Sequence, residues 1–346
     1  MSFQMVTEVR TLVYSLLLSF VFAFTGCVDA LEPAGPGQYE NPDYPSALLG
    51  YCAIPTNFDG AFSLEGRVYV LFGVSGILES FSLSDPNLDL LGSPVEKDTL
   101  VLGFQAGNFV LDQFSGWLYV EDIQGSGIYR VQLPDGVPEF VCPSESVITA
   151  VFLDQSSTSL IICYFGPEWL ARKIDISTGA IQGEFHTGWP ITRAAMSQDS
   201  GKLMLSNSGK EFLLEVDVST MELADTLHLT ERPGPFVYNS SANIVVFNQY
   251  SIRPRVYLYD GSTYLLIQEI SSINPYQICN IIPETDVVIA PRRSENRLSV
   301  LNSANMVFAP SIYCFQSPDF VFSTENGEYI IILNEVPGMV YVYSHQ

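Results

Sequence analysis

The stretch WPITRAAMSQDSGKLMLSNSGKEFLLEVDVSTMELADTLHL, residues 189–229, contains four short β-rich runs separated by turn residues. In the third run, Leu214, Val216 and Val218 alternate with Glu215 and Asp217, a period-two pattern typical of a strand with one buried face. Glycine and serine clusters divide the runs and indicate tight turns. This stretch predicts one four-stranded antiparallel unit of about 40 residues, which is the size of a β-propeller blade.

The same unit recurs along the chain. Each copy starts with a turn residue and a β-rich run, and successive turn residues lie 50, 42, 43, 41, 43 and 42 positions apart. These turn residues are Gly66, Gly116, Thr158, Gly201, Ala242, Thr285 and Gly327. Seven units predict an all-β fold, namely a seven-bladed β-propeller of four-stranded antiparallel blades over residues 46–346.

The last unit reaches Gln346 just after its third strand, so its outer strand must come from elsewhere. Residues 46–52 (SALLGYC) stand before Gly66 where an outer strand stands before each later turn residue. We therefore expect this N-terminal strand to complete blade seven by pairing antiparallel with residues 338–344. Such pairing closes the ring and leaves no gap with unpaired edges.

Residues 189–229 resemble one repeat of the YVTN (YncE-like) seven-bladed propellers. Those repeats read roughly P-x-x-[IV]-A-x-S-x-D-G-x-x-L-Y-V-x-N, followed by a strand that ends V-x-D-x-x-T. The matching residues here are Pro190, Ala194, Ser197, Asp199, Gly201, Asn207, Val216, Asp217 and Thr220. The resemblance covers about 46–346 but is close in only two or three units. It implies a propeller fold and a secreted protein, and it implies no single activity.

The N-terminal residues have the features of a targeting segment. A 14-residue apolar run, 11–24, is shorter than the roughly 20 residues that a bilayer requires and has the length of a signal-peptide core. It leads into Thr25-Gly26-Cys27, which resembles the lipobox of bacterial lipoproteins. We predict a lipoprotein-type signal peptide at 1–26, a lipid on Cys27 and a proline-rich flexible tether at 27–45. An ordinary secretory signal with a chance cysteine is the alternative.

Charge and motif content restrict the function. The chain has 38 acidic and 15 basic residues and a net charge of −23, so it lacks the basic footprint of a nucleic-acid-binding protein. The sequence contains no P-loop, G-x-G-x-x-G, Gly-x-Ser-x-Gly or EF-hand motif, and no cofactor is predicted. Only three histidines occur, and the repeat places His186 and His228 on outer strands of different blades, so no metal site is predicted.

Positive charge is concentrated in one part of the chain. Five arginines fall within 45 residues in blades five and six. The repeat places loop residues and the starts of innermost strands on the same face, where we expect a polar funnel with a basic sector. The predicted ligand-binding residues are Arg193, Arg253, Gln277, Arg292, Arg293 and Asp319. Arginine suits carboxylate or phosphate recognition, although these arginines could instead pair with acids such as Glu295.

These features favour a binding module over an enzyme. The leading hypothesis is a membrane-anchored, extracytoplasmic propeller in the cell envelope that binds a protein or an anionic ligand. One alternative is a lactonase-like hydrolase that uses the central funnel. Another is an assembly factor of the outer envelope.

Overall fold

A computed structural model describes residues 46–345, except for 86–87, 89–94, 126, 145, 167, 198–200, 240, 242, 249–254, 272–278, 283–284, 293–294, 315–317, 325 and 336–337. The described chain forms seven separate four-stranded antiparallel sheets arranged as the blades of a propeller. In six of the sheets the four strands follow one another in sequence, whereas the seventh combines the last three strands with the first strand of the chain. The predicted seven-bladed fold is therefore confirmed.

The first four blades are formed by consecutive strands. Blade one consists of β2 (Gly60–Leu64), β3 (Arg67–Phe72), β4 (Ile77–Ser82) and β5 (Asp98–Val101). Blade two consists of β6 (Ala106–Asp112), β7 (Trp117–Asp122), β8 (Gly127–Gln132) and β9 (Glu139–Pro143). Blade three consists of β10 (Ile148–Leu153), β11 (Ser159–Tyr164), β12 (Leu170–Asp175) and β13 (Ile181–His186). Blade four consists of β14 (Arg193–Met196), β15 (Lys202–Ser206), β16 (Phe212–Asp217) and β17 (Glu222–His228).

The remaining blades follow the same plan. Blade five consists of β18 (Pro233–Tyr238), β19 (Ile244–Asn248), β20 (Arg255–Tyr259) and β21 (Leu266–Ser271). Blade six consists of β22 (Asn280–Ile281), β23 (Val287–Arg292), β24 (Arg297–Asn302) and β25 (Val307–Tyr313). Blade seven consists of β26 (Phe320–Ser323), β27 (Tyr329–Asn334), β28 (Met339–His345) and β1 (Ser46–Ala53).

The N-terminal strand closes the ring as predicted. β1 pairs antiparallel with β28, from Ser46 opposite His345 to Ala53 opposite Met339. The register shifts between Leu48 and Gly50, so Leu48 and Cys52, which are four residues apart, face opposite sides of the blade. Leu48 is buried between blades six and seven, whereas Cys52 is buried between blades seven and one.

The core consists of seven apolar layers, one between each pair of adjacent blades. Each layer joins the facing sides of two sheets, because alternate side chains of a strand point to opposite faces. Each of five layers contains one buried, unbridged cysteine; these are Cys52, Cys142, Cys163, Cys279 and Cys314. A 3-10 turn lies at Gly73–Ser75, and none of the described residues forms a membrane-spanning helix.

Candidate functional site

One face of the propeller brings together the start of each innermost strand and the loop between the second and third strands. Backbone hydrogen bonds show this geometry in blades one, four and seven, where the residue just before the innermost strand donates to a carbonyl near the end of the second strand. The bonds are Asp59 N–H to Leu71 (2.8 Å), Thr192 N–H to Ser206 (2.9 Å) and Asp319 N–H to Leu333 (3.0 Å). The connections between blades lie on this same face. We call it the connection face.

An axial cavity opens near the connection face between blades three, four, five and six. Its volume is about 260 Å³. It is lined by Thr149, Ala150, Thr192, Arg193, Ala194, Pro235, Phe236 and Cys279. Innermost strands form these walls because each of them pairs with a neighbour along one edge only, which leaves its other edge toward the axis.

A second cavity of about 260 Å³ continues along the same strands, away from the connection face. Ala194, Phe236 and Cys279 line both cavities, so the two adjoin. The second cavity is further lined by Phe152, Ala195, Met196, Ser197, Val237, Tyr238, Asn239, Asn280 and Ile281. We call the two adjoining cavities the axial channel. Polar side chains line both of its ends, namely Thr149, Thr192 and Arg193 near the connection face and Ser197, Asn239 and Asn280 at the other end.

Arg193 is the charged side chain among the described residues that line this channel. It is the first residue of β14 and is half-buried in the wall of the cavity nearer the connection face. Burial raises the pKa of the Cys279 thiol to about 12, and the nearby positive charge of Arg193 partly opposes this rise. The thiol is therefore neutral at physiological pH and offers no thiolate nucleophile. The positive charge of Arg193 instead provides a means of attracting an anion into the channel.

Three polar side chains near the axis form hydrogen bonds between blades. Thr149 Oγ1 donates to the Ile191 carbonyl over 2.9 Å, and Asn280 Nδ2 donates to the Val321 carbonyl over 2.6 Å. Asn239 donates to Ser303 Oγ over 3.1 Å. These bonds fasten innermost strands to neighbouring blades, and they leave the backbone groups on the inner strand edges as further polar groups for a ligand.

Two of the predicted site residues besides Arg193 lie in the described part of the chain. Arg292 ends β23 and is buried; its guanidinium forms an ion pair with Glu295 and donates to Ser311 Oγ over 3.2 Å. Because Ser311 lies on the outer strand β25, this side chain reaches away from the axis. The structure therefore does not bring Arg292 together with Arg193. Arg253, Gln277, Arg293 and Cys27 lie outside the described residues.

The repeat spacing predicts Asp319 as the counterpart of Arg193 in blade seven. In the structure Asp319 lies one strand position earlier than that counterpart. Its Oδ2 accepts from the Glu335 N–H over 2.7 Å, just as Thr192 Oγ1 accepts from the Ser208 N–H over 2.9 Å. Asp319 is thus the counterpart of Thr192 and fastens a loop of the connection face. The spacing to the turn glycine could not reveal this shift. Gly201 follows Arg193 by eight residues in blade four, whereas Gly327 follows Phe320, the true counterpart of Arg193, by only seven.

Sequence reasoning also missed several residues of the channel. Thr149, Pro235 and Phe236 carry no recognisable site motif, and only convergence at the axis places them together. The available signal was positional, since each stands at the start of an innermost strand. His186 and His228 end the outer strands β13 and β17, as predicted. The described residues contain no group of three or more His, Cys, Asp or Glu side chains placed to hold a metal ion.

The fold and this channel define the chain as a seven-bladed β-propeller with an axial cavity. No protein-family model matches its sequence, and the search of curated proteins found no match. The resemblance to YVTN propellers and to bacterial lipoproteins accordingly stays a prediction, whereas the propeller architecture rests on the structure itself.

Proposed function

We propose that this protein is a binding module that takes a small anionic ligand into its axial channel through Arg193. The observation that carries the proposal is a cavity of about 260 Å³ with an arginine in its wall, on a protein of net charge −23. Cavities for drug-sized ligands measure about 300–1,000 Å³, and the cavity at Arg193 is smaller than that, so the ligand is small. A carboxylate or phosphate group matches a guanidinium in charge and in hydrogen-bonding geometry.

The test is a thermal-shift screen with inorganic phosphate and simple mono- and dicarboxylates. We expect at least one anion to raise the melting temperature by several degrees at saturating concentration, because a ligand at 100 times its Kd stabilises by about 2.7 kcal/mol. Arg193→Gln should abolish this shift. Lys210→Gln is the matched control, since Lys210 is an exposed cation on a neighbouring loop of the same face and does not line the cavity. No shift with any anion, or an equal shift in Arg193→Gln, would contradict the proposal.

We further propose that the propeller works outside the cytoplasm, held at a membrane of the cell envelope by a lipid on Cys27. The apolar run 11–24 and the Thr25-Gly26-Cys27 sequence support this proposal. β1 starts at Ser46, paired with His345 at the end of blade seven opposite the connection face. A tether that joins at Ser46 would therefore leave the connection face directed away from the membrane.

The anchor has its own test. Cys27→Ser should leave the precursor uncleaved or release the protein from membranes, with no change in the melting temperature of the propeller. Mass spectrometry of the membrane fraction should find diacylated or triacylated Cys27 at the mature N-terminus. A mature N-terminus elsewhere, without lipid, would eliminate the anchor while leaving the ligand proposal intact.

A further inference from the structure

The connection face exposes five large apolar side chains on blades one to three. Val74, Ile123 and Phe165 lie in the loops between second and third strands, and Val101 and Val147 lie where an outer strand leads to the next blade. Their exposed fractions run from 48% for Phe165 to 70% for Val74. We call these five residues the apolar arc.

Backbone contacts join the members of the apolar arc along the connection face. The Leu102 N–H donates to the Gly76 carbonyl over 2.8 Å, which brings the connection after Val101 onto the loop of Val74. The Ile123 N–H donates to the Gln105 carbonyl over 3.0 Å in the same connection, and the Phe165 N–H donates to the Val147 carbonyl over 2.8 Å. Asn108 Nδ2 bridges blades two and three by donating to the Ile148 carbonyl over 2.9 Å.

Among the described residues, the exposed large apolar side chains of the connection face are concentrated on blades one to three. The other exposed large apolar residues among those described lie on outer strands or on turns of the opposite face, as Phe114 and Val137 do. Within the described part of blades four to seven, no large apolar side chain is exposed in the loops of the connection face. Grouped apolar exposure on one side of a soluble protein marks an interaction surface more often than chance placement.

A basic sector continues the connection face beside the apolar arc. On blades four to six, two arginines are taken up by the ion pairs Arg255–Glu269 and Arg292–Glu295. The other described charged residues of this sector are the bases Arg193, Lys210, Arg232 and Arg297 and the acids Glu211 and Glu231. Bases outnumber acids there, on a chain in which acids outnumber bases 38 to 15.

We propose that the connection face docks an extended segment of a partner protein that carries aliphatic side chains next to acidic ones. The apolar arc would bury the aliphatic part, and the basic sector would attract the carboxylates, since complementary charge speeds association and fixes orientation. A second copy of this chain is a poorer partner, because two molecules of net charge −23 repel each other. A bilayer is also disfavoured, because four of the five arc side chains are β-branched aliphatic groups and only Phe165 is aromatic.

The apolar arc is separate from the axial channel, whereas the basic sector shares Arg193 with it. None of the five arc residues lines either cavity, so arc variants leave the proposed anion site untouched. Loss of peptide binding and loss of anion binding are therefore distinguishable, and either proposal can fail alone.

The test uses a random 12-residue peptide display library panned on the full chain. We expect enriched peptides that combine aliphatic and acidic residues, and synthetic copies of them should bind in fluorescence anisotropy. The double variant Ile123→Ser, Phe165→Ser should weaken this binding by about tenfold or more, because buried anchors dominate interface energetics. Phe114→Ser is the matched control, since Phe114 is fully exposed on the opposite face and should bind like the wild type.

Peptide binding should also weaken as the NaCl concentration rises from about 50 to 500 mM, because salt screens the attraction between the basic sector and the carboxylates of the peptide. The melting temperature of the double variant should stay within a degree or two of the wild type, which excludes misfolding as the cause. The proposal is overturned if no aliphatic-acidic peptides are enriched or if the double variant binds them like the wild type. Arc-dependent binding to phosphatidylglycerol vesicles, or arc-dependent dimerisation in sedimentation velocity, would also overturn it by identifying a different occupant.

Discussion

Three aspartates close the turn after the third strand in blades three, four and five. Asp175 Oδ1 accepts from Ser177 Oγ over 2.6 Å and from the Thr178 N–H over 2.8 Å, and Asp217 and Asp260 repeat this arrangement with the serine and threonine that follow them. The serine hydroxyls are the main cause of the lowered pKa of all three carboxyls. Asn302 occupies this position in blade six and accepts from the N–H groups of Ala304 and Asn305.

These turns predict an acid-sensitive part of the stability. A carboxyl whose pKa is lowered by folding stabilises the fold above its unfolded-state pKa of about 3.9, and this stabilisation disappears as the pH falls through the folded-state pKa. Asp260→Asn keeps the acceptor and removes the titration. Its free energy of unfolding, measured by urea denaturation, should therefore decline less steeply below pH 4 than that of the wild type. Asn302→Asp should decline more steeply, and equal slopes in all three proteins would contradict this account.

At the scale of the element, β1 is the strand that links the two ends of the chain. It supplies the outer edge of blade seven, and its side chains enter the apolar layers on both sides of that blade. Gly50 is required where β1 passes close to the backbone, because a Cβ at this position would lie 2.0 Å from the Leu88 carbonyl oxygen. Closure thus depends on side-chain packing and on a close approach that only glycine allows.

Truncation of a single buried side chain in β1 tests this closure. Leu48→Ala should lower the free energy of unfolding by about 2–5 kcal/mol, because Leu48 is 95% buried between blades six and seven. Leu223→Ala on the outer strand β17 of blade four is the control; Leu223 is half exposed and its loss should cost under about 0.5 kcal/mol. Similar melting temperatures for the two variants would show that β1 contributes little to the closed ring.

At the scale of the whole molecule, charge is distributed unevenly between the two faces. The turns that hold Asp175, Asp217 and Asp260 lie opposite the connection face, whereas the basic sector lies on it. The net charge of −23 makes repulsion a general cost of the compact state. Arg67–Asp98 and Arg130–Glu139 are partly exposed ion pairs, which contribute little against that repulsion.

Screening should therefore stabilise this protein. The Debye length shortens from about 30 Å at 0.01 M salt to about 10 Å at 0.1 M, so the long-range repulsion is lost before most short-range ion pairs are. We expect the melting temperature to rise between 10 and 200 mM NaCl at pH 7. A flat or falling melting temperature over this range would show that the ion pairs outweigh the repulsion.

The sequence by itself determined the architecture, because a blade is a local structure. In six of the seven blades the four strands are consecutive, so the alternation in residues 189–229 and the regular spacing from Gly66 to Gly327 were enough to predict seven blades. Even the long-range pairing of β1 with β28 followed from counting strands, since the last repeat lacked one.

Only the tertiary structure decided which side chains meet at the axis. Successive side chains of a strand point to opposite faces, so the shift of one residue in blade seven makes Asp319 the counterpart of Thr192 instead of Arg193. Arg292 lies near the connection face, yet its guanidinium turns outward to Glu295 and Ser311. The repeat spacing locates a residue along its strand but does not say which residues of other blades it meets. Because the innermost strands converge on one axis, the packing of blades three to six places Arg193 beside Cys279 and Phe236, which are distant in sequence.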